Sequence, residues 1–366
     1  MSRCAIVGGG LGGFVAYATL RHGGLEPGEI AVFDPDPDPL GAWLPRAAAI
    51  RQRRMRSESD GHCHPRSFPG LAPRETYRTG NLAPLVATIC NRYRPTVGDF
   101  VRHVEELRDR TGWDESVVPC RVGAVRAERG GFAVDGHGTF RHVLVATGHP
   151  GLAVPEELRG DPRAVHAYEQ HGYASRVAVV GAGMAAATEW LNALAAGAEV
   201  VSVRRREPAR RPLNLPRPLF SKRGLAAFHR SPAADRVELL TTLLEPSYPP
   251  GQVWDAPLAA AAGEGRFRVA ASVDGEEQIV CATGFRRGFH HDPLLRRLVE
   301  EHGLETEGRW LVLAPDGAVP ALADAERTLA VAGVAAQWAY PAADTLVGMK
   351  YVARRFLHRV RSCPTR

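Results

Sequence analysis

Twice in this chain a short β-type apolar run breaks into glycines and resumes as an apolar helical stretch. The first run is Arg3-Cys4-Ala5-Ile6-Val7-Gly8, followed by Gly9-Gly10-Leu11-Gly12-Gly13 and the helical pattern Phe14 to Gly23. A second apolar run, Ile30 to Phe33, ends at Asp34. The order strand, glycine turn, helix, strand, acid is that of a dinucleotide-binding unit. In it Gly8 permits the tight turn, Gly10 lets a pyrophosphate approach the backbone, and Gly13 lets the helix lie close on the strand. The start of the helix then offers free N–H groups and the positive end of its dipole to the anion. Asp34 stands 21 residues after Gly13, where a carboxylate accepts both hydroxyls of a ribose.

The pattern recurs at residues 176–203. Arg176-Val177-Ala178-Val179-Val180 leads into Gly181-Ala182-Gly183-Met184-Ala185-Ala186, with Ala186 as the third small residue. A helical stretch Thr188 to Gly197 and the strand pattern Glu199 to Val203 follow. Where the first unit has Asp34, the second has Arg204-Arg205-Arg206. A carboxylate there repels a 2′-phosphate, whereas a guanidinium pairs with one through a charge-assisted fork. The first site is therefore expected to prefer a 2′-hydroxyl ribose, as in FAD, and the second NADPH.

Two apolar strands end in Ala-Thr-Gly, Val143–Gly148 and Ile279–Gly284, each about one domain-length after its glycine turn. Thr328–Gly333 reads as a last short strand, and Asp344-Thr345 as the cap of a helix pointing its N-terminus at a ligand near Gly333. The expected fold class is α/β, with two Rossmann-like dinucleotide-binding domains. Residues 1–170 and 285–366 form the FAD domain, and the NADPH domain, 171–284, is inserted in it. The stretches 207–221 and 247–251 read as loops. The expected FAD-lining positions are Gly8, Gly10, Gly13, Asp34, Gly41, Trp43, Val122, Thr147, Gly148, Gly333, Asp344 and Thr345. Those for NADPH are Gly181, Gly183, Ala186, Arg204, Arg205 and Arg206.

The rest of the sequence mainly excludes. Net charge is +6, but of 46 basic residues only Lys222 and Lys350 are lysine, and the arginines are interspersed with 40 acids. That spread is unlike the one-sided footprint of a nucleic-acid binder. No stretch of 18 uninterrupted apolar residues is present, so no membrane span is expected. The six cysteines form no C-x-x-C pair, which argues against a disulfide framework and against a dithiol redox centre. With no room for a signal peptide before the first strand, the expectation is a reduced, cytoplasmic protein.

With both units in place, the chain resembles the class B flavin-dependent monooxygenases. That group includes the flavin-containing and Baeyer–Villiger monooxygenases and the N-hydroxylases of siderophore biosynthesis. The resemblance covers most of the chain. Its more selective element is Leu40-Gly41-Ala42-Trp43, in the place of a G-G-x-W-like motif, which would set Trp43 beside the flavin; the alternative is a surface or core tryptophan. Residues 158–168 carry a related but altered linker, in which His166 is a hinge residue or a satisfied polar side chain. This linker does not end in Trp-Pro, unlike the Baeyer–Villiger form. Ala332-Gly333-Val334 replaces an Ala-Gly-Asp of many relatives.

The resemblance implies single-component oxygenation of a small molecule by dioxygen through a flavin C4a-(hydro)peroxide. The expected target is an amine nitrogen or similar heteroatom in specialised metabolism. A reductase passing electrons to a partner, or oxygenation at carbon, remains the alternative. Arg56, His62 and His64 lie in the loop expected to pass the isoalloxazine and are the candidate catalytic groups. No second ligand cluster accompanies His62-Cys63-His64, so no metal is expected. His290-His291-Asp292 reads as a turn and helix cap. Phe285, Trp338 and Tyr340 are either pocket walls or core.

Overall fold

The computed structural model describes residues 3–56, 63, 70–90, 93–212 and 215–363. Its first sheet has six strands in the order Ala318–Ala323, Thr328–Val331, His142–Val145, Cys4–Val7, Ile30–Asp34, Val117–Pro119. All neighbours run parallel except the outermost pair, Ala318–Ala323 on Thr328–Val331. Cys4–Val7, His142–Val145 and Thr328–Val331 are buried at every residue, covered by the helices Leu11–His22 and Leu346–Ser362 and by an antiparallel ribbon that contacts His142–Val145. One cover is Leu11–His22, which packs on Leu346–Ser362. Gly23 makes that packing possible: a Cβ there would lie 2.5 Å from Leu357 Cδ1.

The second sheet has five parallel strands, in the order Phe267–Ala270, Glu199–Val203, Arg176–Val180, Gln278–Cys281, Ala164–His166. It begins with Ala164–His166, ahead of residue 171. A three-stranded antiparallel ribbon, Val125–Glu128, Gly131–Val134 and Gly138–Phe140, extends the first unit.

The chain between the second unit's strands does not all stay with that unit. Helices Lys222–Arg230 and Ala233–Leu243 place Leu225, Phe228 and Leu240 in the core cluster that holds Trp338, Ala339 and Tyr340. His229 Nε2 contacts Ala339 O at 2.7 Å, and the Arg236 guanidinium lies 3.9 Å from the Trp338 ring centroid while donating to Trp338 O. This excursion leaves and re-enters beside a two-residue pairing of Ala209–Arg210 with Ser247–Tyr248, in stretches the sequence reads as loops. Trp338 and Tyr340 are thus core residues, each about 2% exposed.

The two units are joined by two passages that run side by side. Leu152 bridges Phe285 antiparallel, Ala153 N donates to Gly284 O at 2.9 Å, and Arg286 N donates to Gly151 O at 2.9 Å. The Thr283 hydroxyl donates to Ala153 O.

Candidate functional site

The two glycine turns share one backbone wiring. Gly8 N donates to Phe33 O at 2.9 Å, and Ala146 N to Val7 O at 2.7 Å. In the second unit Gly181 N donates to Val203 O at 3.1 Å, and Ala282 N to Val180 O at 2.8 Å. Gly8 sits at φ +107° and Gly181 at φ +133°, a region costly for any side chain. A Cβ on Gly8 would meet Ala146 O at 2.4 Å, and one on Gly181 would meet Ala282 O at 2.6 Å. The Ala-Thr-Gly strands therefore press each turn from behind.

A glycine turn binds a dinucleotide only if space lies in front of it. A Cβ at Gly10 or Gly12 would meet nothing within 4 Å, and at Gly183 the nearest atom is 3.8 Å away. At Gly13, by contrast, a Cβ would lie 1.9 Å from Gly8 O, and Ala186 is fully buried at the equivalent place. Gly10 and Gly183 are also the N-caps of Leu11–His22 and Met184–Ala195, and neither helix has a side-chain cap. Thr96, Ser221, Asp292 and Thr345 cap their own helices with side-chain oxygens. At the two glycine helices no side chain takes that place, and the open space beside Gly10, Gly12 and Gly183 fits a pyrophosphate at each.

The residues at the strand ends carry opposite charge. Asp34 Oδ2 accepts from Gly9 N at 2.6 Å, and its Oδ1 from Asp36 N at 2.9 Å. These bonds hold the carboxylate beside the turn and leave lone pairs for ribose hydroxyls. Asp36 and Asp38 repeat the motif, accepting from Asp38 N and Leu40 N. Gly41 is required by this ladder, since a Cβ there would lie 1.9 Å from Asp36 Oδ2. Register makes Arg204 the counterpart of Asp34: Val7 pairs with Phe33, Val180 pairs with Val203, and each charged residue comes next. Arg204 lies largely buried over the Trp190 ring, 5.6 Å from its centroid, and pairs with Glu207 at 2.8 Å. Arg205 is exposed and 3.4 Å from Glu157, and Arg206 is exposed. The three arginines thus do not converge on one point.

The remaining expected positions divide. Trp43 is half-buried, edge-on to Phe100 at 5.4 Å, and Val122 is half-buried against the same core. Arg56 reaches the second unit's helix Met184–Ala195, 3.4 Å from Thr188 Oγ1. His62 and His64 lie outside the described residues. The Thr147 hydroxyl donates to Asp292, whose other oxygen caps Pro293–His302 through Leu294 N and Leu295 N. His290-His291-Asp292 is therefore a turn and cap, as its sequence suggests. The Thr345 hydroxyl donates to Ala342 O at 2.8 Å and accepts from Gly348 N at 3.1 Å. Gly148 and Gly333, at φ +74° and +68°, both have open space at the Cβ position. Asp344 keeps an open surface while protein encloses it, as on the floor of a cleft. That enclosure raises its carboxyl above the usual range, against the pull of Arg287.

The sequence gives no sign of what stands between the two passages. His149, Phe285 and Tyr168 form one stack, with centroids 4.0 Å and 4.9 Å apart, and the Arg46 guanidinium lies 5.1 Å from the Phe285 ring centroid. Burial, with Arg287 and Arg46 nearby, pushes His149 down to about 4. His166 contacts Gly284 O through Nε2 at 3.0 Å and accepts from Tyr168 N at 3.1 Å, so it is both satisfied and a tie between the passages. Further out, fully buried Glu189 on the helix Met184–Ala195 meets His171 Nε2 at 3.0 Å and Tyr173 OH at 2.8 Å. The one signal for it was an acid inside an otherwise apolar helix. Among the described residues no His, Cys, Asp and Glu cluster could hold a metal, and no helix is long and apolar enough to cross a membrane.

Two parallel sheets, each with a glycine turn, joined by paired linkers, are the architecture of the two-dinucleotide-binding flavoproteins. An ornithine hydroxylase from Pseudomonas aeruginosa shares it with TM-score 0.70 and 15% identity, over 98% of this chain and 99% of that one. An ornithine N-hydroxylase from Kutzneria sp. 744, solved with reduced FAD, NADP+ and L-ornithine, gives 0.74 and 15%, over 99% of each chain. A bacillithiol disulfide reductase from Bacillus cereus gives 0.58 and 16%, over 99% of each. At such identities the likeness is one of fold. No family model matches the chain, and no curated protein does.

Proposed function

We propose that this protein is an FAD- and NADPH-dependent monooxygenase that oxidises a small molecule at an amine nitrogen or a similar heteroatom. In this reading FAD lies along Gly8, Gly10 and Gly13, with its ribose on Asp34 and its far end toward Gly333 and Asp344. NADPH lies along Gly181, Gly183 and Ala186, with Arg204 nearest its 2′-phosphate. The observation that carries the reading is the matched pair of open, uncapped glycine helices ending on opposite charges, Asp34 and Arg204. One such turn makes a nucleotide binder, whereas two joined by paired linkers can hand hydride from one cofactor to the other.

FAD, when bound, supplies the redox chemistry with NADPH and dioxygen. The chain's own work is placement. Uncapped N–H groups hold each pyrophosphate, and Asp34 and Arg204 sort the two riboses. Arg46, His149, Phe285 and Tyr168 set the two units against each other. The choice of an amine rests on the solved neighbours, named as hydroxylases of ornithine and a monooxygenase of lysine. A dithiol reductase is disfavoured, since the chain has no C-x-x-C pair and Cys4, Cys63, Cys281 and Cys363 are buried.

The test is anaerobic reduction of the purified protein by NADPH, then rapid mixing with oxygen while the flavin spectrum is recorded. The expected result is a transient distinct from both reduced and oxidised flavin, long-lived only with NADP+ bound. Direct return to oxidised flavin would refute oxygenation and point to an electron-passing reductase.

A further inference from the structure

Beside the stacked linkers lies an open groove of about 570 Å³. That is within the range of about 300–1,000 Å³ typical of ligand sites. Phe285 and Trp310 form its apolar walls, and Arg287, Arg309, His290 and His291 supply its polar lining. The helical excursion closes the third side through Val237 and Thr241 of Ala233–Leu243. None of the residues of either glycine turn lines it.

Among the described residues, the cations in this groove have no carboxylate in ion-pair contact. Arginines elsewhere in the chain are extensively paired, for example Arg54 with Glu75 at 2.6 Å and Arg359 with Asp316 at 2.7 Å. Among the described residues, neither Arg287 nor Arg309 has a carboxylate within 4 Å or a guanidinium hydrogen bond, and the same holds for neighbouring Arg286. No carboxylate lines the groove. The crowding shows in the neighbours: burial lowers Arg287, and Arg309 lowers it further. His291 is lowered by burial and then by His290, Arg286 and Arg309. Asp344 is the one carboxylate that acts on Arg287.

A merely solvated basic face would spread its charge over convex surface. Here Trp310 is 6% exposed and Arg287 is half-buried behind it, while Arg309, His290 and His291 stand exposed at the rim. A half-buried guanidinium with no carboxylate in ion-pair contact is incompletely solvated, and an arriving carboxylate or phosphate relieves that cost through a bidentate fork.

We infer that this groove holds the anionic end of the molecule to be oxidised, a carboxylate or a phosphate, between Arg287 and Arg309. With no acid in the lining, no carboxylate there neutralises an ammonium. The groove thus selects an end that is wholly anionic over the zwitterionic end of an α-amino acid. The inference rests on the proposed monooxygenase reading only for the fate of the ligand.

The test uses the FAD-loaded protein saturated with NADP+, so that the coenzyme's own phosphate sites are filled. Inorganic phosphate and succinate are titrated by calorimetry at constant ionic strength. At least one should bind saturably, weakened by about tenfold or more in Arg287→Gln, which removes the half-buried cation, and by about threefold or more in Arg309→Gln, which removes the exposed one. Arg309→Lys should restore part of the binding, which a folding defect would not. A preference for glycine over succinate, or binding by neither anion, would overturn the inference. So would Arg309→Gln binding like the parent protein. If Arg309→Gln instead raises the KM for NADPH and leaves anion binding intact, the cation serves the coenzyme and the inference is wrong. Binding is read here without turnover, so failure of this inference and failure of the oxygenation test are separate results.

Discussion

Adding a single methyl group at Gly10 or at Gly13 should have opposite consequences. At Gly13 the new Cβ would lie 1.9 Å from Gly8 O, about 1.1 Å inside the closest approach of about 3.0 Å. The obstructing atom is backbone, pinned in a turn whose N–H already bonds Phe33 O. The helix Leu11–His22 must therefore lift off its strand. Overpacking of this kind costs about 1–3 kcal/mol where side chains can yield, and a rigid backbone puts Gly13→Ala at about 4 kcal/mol or beyond. At Gly10 the methyl meets nothing, and φ −63° suits alanine. The fold should lose at most about 1 kcal/mol, the difference between glycine and alanine at an N-cap. The methyl would, however, stand where the pyrophosphate must approach. At about 1–3 kcal/mol this corresponds to roughly 5- to 150-fold weaker FAD binding. The assay pairs thermal melting of the apoprotein with FAD titration. Gly10→Ala should melt within about 3 °C of the parent and bind FAD roughly 5- to 150-fold more weakly. Gly13→Ala should melt far lower or not accumulate. Parent-like FAD affinity in Gly10→Ala would refute the location of the flavin site, and a parent-like melt of Gly13→Ala would refute the contact.

Further outcomes are expected elsewhere. Asp34→Ala frees Gly9 N and Asp36 N and should weaken FAD binding by about tenfold or more, measured by flavin retention on dilution. Arg204→Ala should raise the KM for NADPH at least about tenfold and leave that for NADH nearly unchanged, whereas Arg205→Ala should change neither much; equal losses with both coenzymes would contradict this. His142 is 1% exposed and has no hydrogen-bond partner on either ring nitrogen among the described residues. Burial, then Arg141 and Arg3, holds it at about 4 against a usual 6.5. The unfolded chain therefore binds the extra proton first, and stability should fall as pH drops from about 6.5 to about 4, by about 3 kcal/mol in all. His142→Phe should flatten this acid limb in urea unfolding at pH 7 and pH 5, and an unchanged slope would remove His142 as its source.

What was readable in the sequence was what backbone geometry forces on residue identity. Gly8 and Gly181 must tolerate positive φ, Gly13 and Ala186 must be small, and the charged residue after each second strand, Asp34 or Arg204, is fixed by strand register. These demands are local, so each leaves a local trace. The excursion was not readable in this way. Leu225, Phe228 and Leu240 look like any apolar helix face, and only three-dimensional contact shows that they pack on Trp338 and Tyr340 rather than on the strands that flank them. The His149–Phe285–Tyr168 stack joins residues more than a hundred positions apart, with no period to betray it. The inward turn of Arg204 depends on Trp190, which the sequence offers only as another apolar helix residue.

The way the first sheet closes sets an order on assembly. Cys4–Val7 has its neighbour Ile30–Asp34 early, but His142–Val145 gains its second partner only with Thr328–Val331. Leu11–His22 packs on Leu346–Ser362, and the Arg3 guanidinium donates to Val360 O at 3.1 Å. On the ribosome the second sheet, complete at Cys281, can therefore form while the first still lacks two strands and a covering helix. The flavin groove, written first in the chain, would be finished last, and a nascent chain halted after residue 284 would hold NADPH before it could hold FAD.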